Sequence, residues 1–449
     1  MRRLLFIVVA TAAVSGYILL ILSGPGDRAG RAETEIPGTA PAEPDQPPDP
    51  RALLDVPGLS TVPVAARDTA DQRLVTESAR TAWAYVQRFD DARTGLIPSV
   101  AWYPYATVWD MGSMLAALHA GHALGFTSDS AYHRRMTAAL RRIGSLDLAA
   151  NTAPNKFYRT DTGALTERQG EPSHTGYGWS AVDIGRLLVW LAIVAEEHDD
   201  FRVLATAAAG RFALAELTEQ AQLWGGMRAG ERWQRYQEGR LGYEQYAAAG
   251  FELWGRDVSA AADPFENTER IEVLDVPLLV DTRSASCLTS EPFILWALEL
   301  GLPGWADRLA SSLLRVQEER HTRTGTLTMV SEDAITVAPH YFYYSCVHGA
   351  GEDFTVLTAE YERARGAPRT ISTKAAFAWY ALHPDEYTSL AVRRVAGAAR
   401  REGLWAAGLT EEGMTPLGAA NINTSAVILQ AALYIRDGLP LMERVRSLR

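Results

Sequence analysis

The stretch WSAVDIGRLLVWLAIVAE (179–196) is apolar on every side. The stretch that follows it, FRVLATAAAGRFALAELTE (201–219), is apolar on one side only. A helix that is hydrophobic all round lies inside a fold, and an amphipathic one lies on its outer layer. One inner helix followed by one outer helix is therefore the unit to seek elsewhere in the chain.

The unit recurs. Inner-type segments cover 107–124, 179–196, 242–254, 289–300, 373–382 and 424–435. Outer-type segments cover 71–89, 130–145, 201–219, 305–319 and 387–401. Residues 260–285 follow neither pattern. The Thr-Gly turns ARTGL (92–96) and TRTGTL (322–327) each follow an outer segment. Six inner segments alternating with outer ones predict an all-α fold, an (α/α)6 toroid of alternating outer and inner helices. The competing layout is an ordinary two-layer helical bundle.

Upstream, Arg2 and Arg3 precede LLFIVVATAAVSGYILLIL (4–22), an uncharged run of 19 residues. About 20 apolar residues span a bilayer as a helix. The arginines stay on the cytoplasmic side and send the rest of the chain outward. We read residues 1–23 as a transmembrane signal anchor in the inner membrane, with secretion after cleavage as the alternative. Residues 24–65 are rich in Pro and Ala, as in AETEIPGTAPAEPDQPPDP, and read as a flexible, disordered linker. Residues 66–449 form the folded domain, outside the cytoplasm and periplasmic in a Gram-negative host.

Hydrophobic residues make up 47% of the chain, enough for a large core. The net charge of −11 argues against nucleic acid as a partner. Cys287 and Cys346, in an exported domain, leave one disulfide and two buried thiols both open. No GxSxG, P-loop or HExxH pattern occurs, and His119, His122 and His133 lack metal-type partners. No metal and no cofactor is expected.

The inner-segment starts carry acids beside aromatics: TVWD (107–110), WSAVD (179–183), YEQY (243–246), TSEP (289–292), STK (372–374) and NINTS (421–425). Capping explains the Ser, Thr and Asn, and the helix dipole favours an acid in a first turn. Neither explains the aromatic company. Aromatic faces stack on sugar rings, and glycosidic cleavage needs two carboxyl groups. The candidate acids are Asp110, Asp183, Glu244, Glu252, Glu291, Glu332, Asp333, Glu352 and Asp353, with Glu252 discounted as mid-helix. Glu291 or Glu244 is expected as general acid, and Asp183 or Asp110 as base. Trp109, Trp179, Tyr243 and Tyr343 are expected to stack on sugars, with Lys156 and Tyr158 as further substrate-binding residues.

WDMGSMLAAL (109–118), PNKFYRTDTGAL (154–165), GYGWSAVDIGRLLVWL (176–191), GYEQYAAAGFELWG (242–255), LTSEP (288–292), VSEDAI (330–335) and STKAAFAW (372–379) resemble the bacterial domain-of-unknown-function 3131 family, regarded as glucoamylase-like. The resemblance spans about residues 70–436. The pattern over 157–185 is also similar to the glucoamylase-like region of cyclic β-1,2-glucan synthases. The resemblance implies an (α/α)6 fold and work on periplasmic or cell-surface glucans, and it carries no catalytic assignment. The expected function is a glycoside hydrolase or transglycosylase on an exported or cell-envelope polysaccharide. The alternative is a non-catalytic glycan-binding module.

Overall fold

The computed structural model describes residues 49–448 except 62–66, 92, 168–169, 231, 284–286, 336–342 and 359–361. The expected anchor (1–23), and the linker as far as residue 48, lie outside the described residues. Among the described residues no helix is long and apolar enough to cross a membrane.

The helices that build the frame are, in chain order, α1 (Thr69–Phe89), α2 (Val108–Ala123), α3 (Asp129–Ile143), α4 (Ala181–Glu197), α5 (Asp199–Ala209), α6 (Tyr243–Leu253), α7 (Glu291–Glu299), α8 (Gly304–Thr324), α9 (Thr373–Leu382), α10 (Glu386–Ala398), α11 (Ile422–Asp437) and α12 (Leu441–Ser447). Six of them close a ring: α2 packs on α4, α4 on α6, α6 on α7, α7 on α9, α9 on α11, and α11 back on α2. These are the segments that are apolar all round. In α4, Ala181, Val182 and every residue from Ile184 to Val194 are buried, whereas α3 buries only the stripe Tyr132, Met136, Ala139, Leu140 and Ile143. The α4–α6 contact is the tightest that small residues allow. A Cβ at Gly250 would stand 2.0 Å from the Gly185 carbonyl oxygen, so the two backbones meet where neither helix has a side chain.

The expected all-α toroid is corrected by the strand content: among the described residues about 48% are helix and about 20% strand, in several sheets. Between α6 and α7, where an outer helix was due, the chain makes one helical turn, Ser259–Ala262. It then makes a hairpin, Thr268–Val273 paired with Val276–Asp281. This is the segment that showed no helical period. VPLLVD is rich in apolar and β-branched residues, and five of its six side chains are buried. Further ladders form in the connections, Gln222–Ala229 with Arg232–Gln237 and Tyr343–Gly349 with Glu352–Thr358. The outer segment expected over 201–219 stops as a helix at Ala209.

The end of the expected linker lies against the domain. Ser60 donates its backbone N–H to Asp307 Oδ1 at 3.0 Å, and Arg308 Nη1 donates to the Val56 carbonyl at 2.7 Å. Leu59 is buried in the core.

Cys287 and Cys346 form a disulfide that closes a loop of 59 residues. Both are buried, with Tyr344 and Leu357, in a satellite cluster. A loop of this length makes reduction costly, and we expect Cys287→Ala/Cys346→Ala to lose about 2–4 kcal/mol. Urea unfolding of the variant against the oxidised parent measures this, and equal midpoints would refute it.

Candidate functional site

All six ring helices present their N-terminal ends to one cleft of about 380 Å³. Its wall takes Thr107, Trp109 and Asp110 from α2 and its cap, and Ser180 and Asp183 from α4. Tyr243 of α6, Glu291 of α7, Lys374 of α9 and Asn423 of α11 complete the circuit. The connecting loops add Lys156, Tyr236, Glu238, Arg240, Glu332 and Tyr344. Capping accounts for part of the polar start residues. Thr107, Ser180, Ser372 and Asn421 each accept a backbone N–H of their own first turn. The carboxyls stand beyond these caps.

Glu291 is buried and held by three donors. Trp109 Nε1 reaches Oε1 at 3.2 Å, Asn423 Nδ2 reaches Oε1 at 2.8 Å, and Lys374 Nζ reaches Oε2 at 2.6 Å. These groups only donate, so Glu291 serves as the acceptor that fixes Trp109 and Lys374. Burial disfavours the Lys374 charge, yet Glu291 and Asp333 hold its pKa above the usual lysine value. Asp333 lies 4.0 Å from Lys374 Nζ and accepts from Ser372 Oγ at 3.2 Å. Burial pushes its pKa up to about 6, against the pull of Lys374.

Glu332 accepts a hydrogen bond from Tyr243 OH at 2.9 Å and stands 4.0 Å from Arg240 Nη1. Burial and the neighbouring Glu291 push its pKa up to about 7, opposed by Arg240 and Lys374. Arg240 is itself fixed, with its guanidinium 3.9 Å over the Tyr243 ring and 5.1 Å from the Tyr344 ring centroid.

Asp183 is half-buried, and among the described residues no donor reaches its carboxyl. Burial, then the charge of Glu238, pushes its pKa up to about 7, opposed by Lys156 and Arg240. Glu238 is anchored at the start of α4, accepting the backbone N–H groups of Ala181 and Val182. Arg240 thus bears on both Asp183 and Glu332.

Asp110 lines the cleft and accepts from Thr107 Oγ1 at 3.1 Å and Ser113 Oγ at 3.0 Å. Burial raises its pKa. The other residues expected from the sequence divide. Trp109 and Tyr243 line the cleft with ring centroids 5.6 Å apart, and Lys156 lines it with Nζ 5.2 Å from the Tyr236 ring centroid. Glu244 is not in the cleft wall. It is buried in a pair with Arg283 at 2.6 Å and bonded to Gln237 at 2.6 Å. Trp179 packs on Trp233 and bonds the Trp224 carbonyl. Tyr158 is fully buried and donates to the Asp147 carbonyl. Tyr343 is buried beside Ile335 and Val356, while Tyr344, the next residue on the strand, faces the cleft.

Glu238 and Arg240 also line the cleft but are not among the residues expected from the sequence. Their signal was present in YQEGRLGYEQY (236–246), where an acid and a base flank a glycine just before an inner helix. Elsewhere, a groove of about 490 Å³ between α1 and α3 holds Asp90, which is paired with Arg135 at 2.8 Å. His133, His198 and Asp200 bring ligand-type atoms within 4.8 Å of one another on the outer layer. His133 already pairs with Asp200, and His198 Nδ1 caps α5.

A ring of buried helices opening on one acidic, aromatic-lined cleft places the protein in the glucoamylase-like class of folds. The chain belongs to the family described as protein of unknown function DUF3131, which it matches over residues 77–438. An endo-β-1,2-glucanase from Chitinophaga pinensis, solved with sophorotriose and glucose, shares the fold at a TM-score of 0.59 and 12% identity, covering 85% of this chain and 95% of that one. A candidate glucoamylase from Bacteroides caccae does so at 0.59 and 12%, covering 84% and 96%. An endo-β-1,2-glucanase from Talaromyces funiculosus, solved with sophorose, does so at 0.56 and 13%, covering 84% and 87%. No curated protein matches the chain.

Proposed function

We propose that the protein is a glycoside hydrolase or transglycosylase acting on a glucan outside the cytoplasm, with Asp183 as general acid and Glu332 as general base. The observation that carries this reading is the single cleft lined by the carboxyls of Asp183 and Glu332 together with Trp109, and burial raises the pKa of both carboxyls to about 7. An acid poised near the working pH can hold its proton and still release it. Among the described residues no donor holds the Asp183 carboxyl, so no such bond must break before it protonates the leaving oxygen. Glu332, steadied by Tyr243 and faced by Arg240, activates water. Trp109 offers an apolar ring surface to the sugar, the Tyr243 ring being buried under Arg240, and Lys156 and Asn423 offer hydrogen bonds. Glu291 and Lys374 keep this wall rigid. The named activities of two fold relatives support β-1,2-glucan as the first polymer to test.

The Cys287–Cys346 disulfide supports an oxidising compartment, in agreement with the basic residues and apolar run at the N-terminus.

The two roles predict a pH profile. Glu332 must be ionised, so activity falls as pH drops below about 7. Asp183 must be protonated, so activity falls as pH rises above about 7. We expect a bell in kcat/KM centred near neutrality, with each limb approaching about tenfold per pH unit. A profile flat from about pH 5 to 9 would contradict the assignment. The activity itself is tested by incubating the purified protein with α- and β-glucans and assaying reducing ends and product sizes. New reducing ends mark a hydrolase, and altered chain lengths without them mark a transglycosylase. Binding without either change would leave a glycan-binding module.

A further inference from the structure

Trp102 and Tyr103 are the exposed aromatic side chains among the described residues, at 68% and 45%. The loop that carries this exposed tryptophan is tied down by backbone hydrogen bonds. The Ala101 N–H donates to the Ala420 carbonyl at 2.8 Å, Ser99 N–H to the Tyr105 carbonyl at 2.8 Å, and Tyr103 N–H to the Val100 carbonyl at 3.1 Å. The ring of Trp102 meets Phe89 edge to face at 5.0 Å, and the Arg88 guanidinium lies over the Trp102 ring, 4.8 Å from its centroid. The Trp102 backbone has φ of +67°, a left-handed conformation that costs energy in any residue but glycine. The loop therefore bears strain while holding the largest apolar side chain in solvent.

Its position gives the strain a purpose. Val100 bridges Asn421, and Ser99, Val100 and Asn421 all line the cleft. Trp102 is two residues outside that wall. Phe89 and Arg88 end the outer helix α1, whose C-terminus leads into this loop. A polymer longer than the cleft must leave over its rim, and a fixed indole face there offers an apolar surface to a sugar ring. Arg88 and Tyr103 supply polar groups beside it.

We propose that Trp102, with Tyr103, forms a distal stacking subsite for a sugar ring of the glucan chain, outside the cleft. The inference rests on the glucan reading above. It concerns only polymer that extends past the cleft.

The test compares polymer with a trisaccharide of the same linkage in steady-state kinetics. Trp102→Ala and Trp102→Gly both remove the ring, and glycine also suits the left-handed backbone, which guards against a folding defect. For both variants we expect KM for the polymer to rise about fivefold or more, and the polymer-to-trisaccharide ratio of kcat/KM to fall in step. Trp102→Phe restores most of the ratio. Val203→Ala, which removes an equally exposed apolar group from α5, does not move it. A ratio unchanged in both ring-less variants, with the parent active, overturns this subsite alone. A parent that neither cleaves nor binds any glucan overturns the functional reading and the subsite together.

Discussion

Asp183→Asn and Glu332→Gln are each expected to cut kcat by about 100-fold or more while the fold stays intact. Both changes are nearly isosteric and remove only the proton chemistry. Asn at 183 loses no bonded partner, because no donor reaches the Asp183 carboxyl among the described residues. Gln at 332 still offers a carbonyl oxygen to Tyr243 OH, 2.9 Å away in the parent. Stability carries an independent sign. The folded pKa of Asp183 is raised to about 7 from a reference of 3.8, so the native state binds more protons than the unfolded state between those values. Stability from this group is complete below pH 3.8 and is lost as pH rises through about 7. Removing the ionisation should therefore stabilise the protein at alkaline pH, by roughly 1–2 kcal/mol after allowance for solvent screening of a half-buried group. Thermal melts at pH 5 and pH 8 measure it. An active Asp183→Asn variant, or one no more stable than the parent at the higher pH, would remove Asp183 from the acid role.

Lys374→Met is the second large effect. Lys374 is buried between Glu291 at 2.6 Å and Asp333 at 4.0 Å. Removing one partner of a buried ion pair leaves the other charge uncompensated, which costs about 3–5 kcal/mol. The loss should depend on pH. The pKa of Asp333 is already raised to about 6 with the lysine present, and that of Glu332 to about 7. Without Lys374 both rise further. The penalty is full above those values and fades as pH falls and the carboxyls take up protons. Urea unfolding at pH 5 and pH 8 should show a much larger difference at pH 8. A loss below about 1 kcal/mol at both would mean the cluster is not the electrostatic unit described.

The ring was legible because its signal is long. Segments such as 179–196 are apolar for many consecutive residues, and only a buried helix of this length accounts for them. The strands were not legible, since several are two or three residues long and show no readable period. The hairpin at Thr268–Asp281 replaced an outer helix in the one place where helical spacing failed. At the site, the helix starts drew attention to Asp110, Asp183, Glu291, Trp109 and Tyr243, all of which line the cleft. They misplaced Glu244, because a first-turn acid reads alike whether it faces the cleft or pairs inward with Arg283. Alternation along one strand likewise exchanged Tyr343 for Tyr344. Glu238 and Arg240 come from a loop whose path depends on the Gln222–Gln237 ladder, and local sequence does not determine that path.

In the proposed function Asp183 and Glu332 together cleave a glucan bound in this cleft. The most direct measurement is reducing-end release from β-1,2-glucan at pH 7 by the parent protein, Asp183→Asn and Glu332→Gln, side by side. We expect release by the parent and a loss of about 100-fold or more in each variant. Release that survives undiminished in both variants would contradict it.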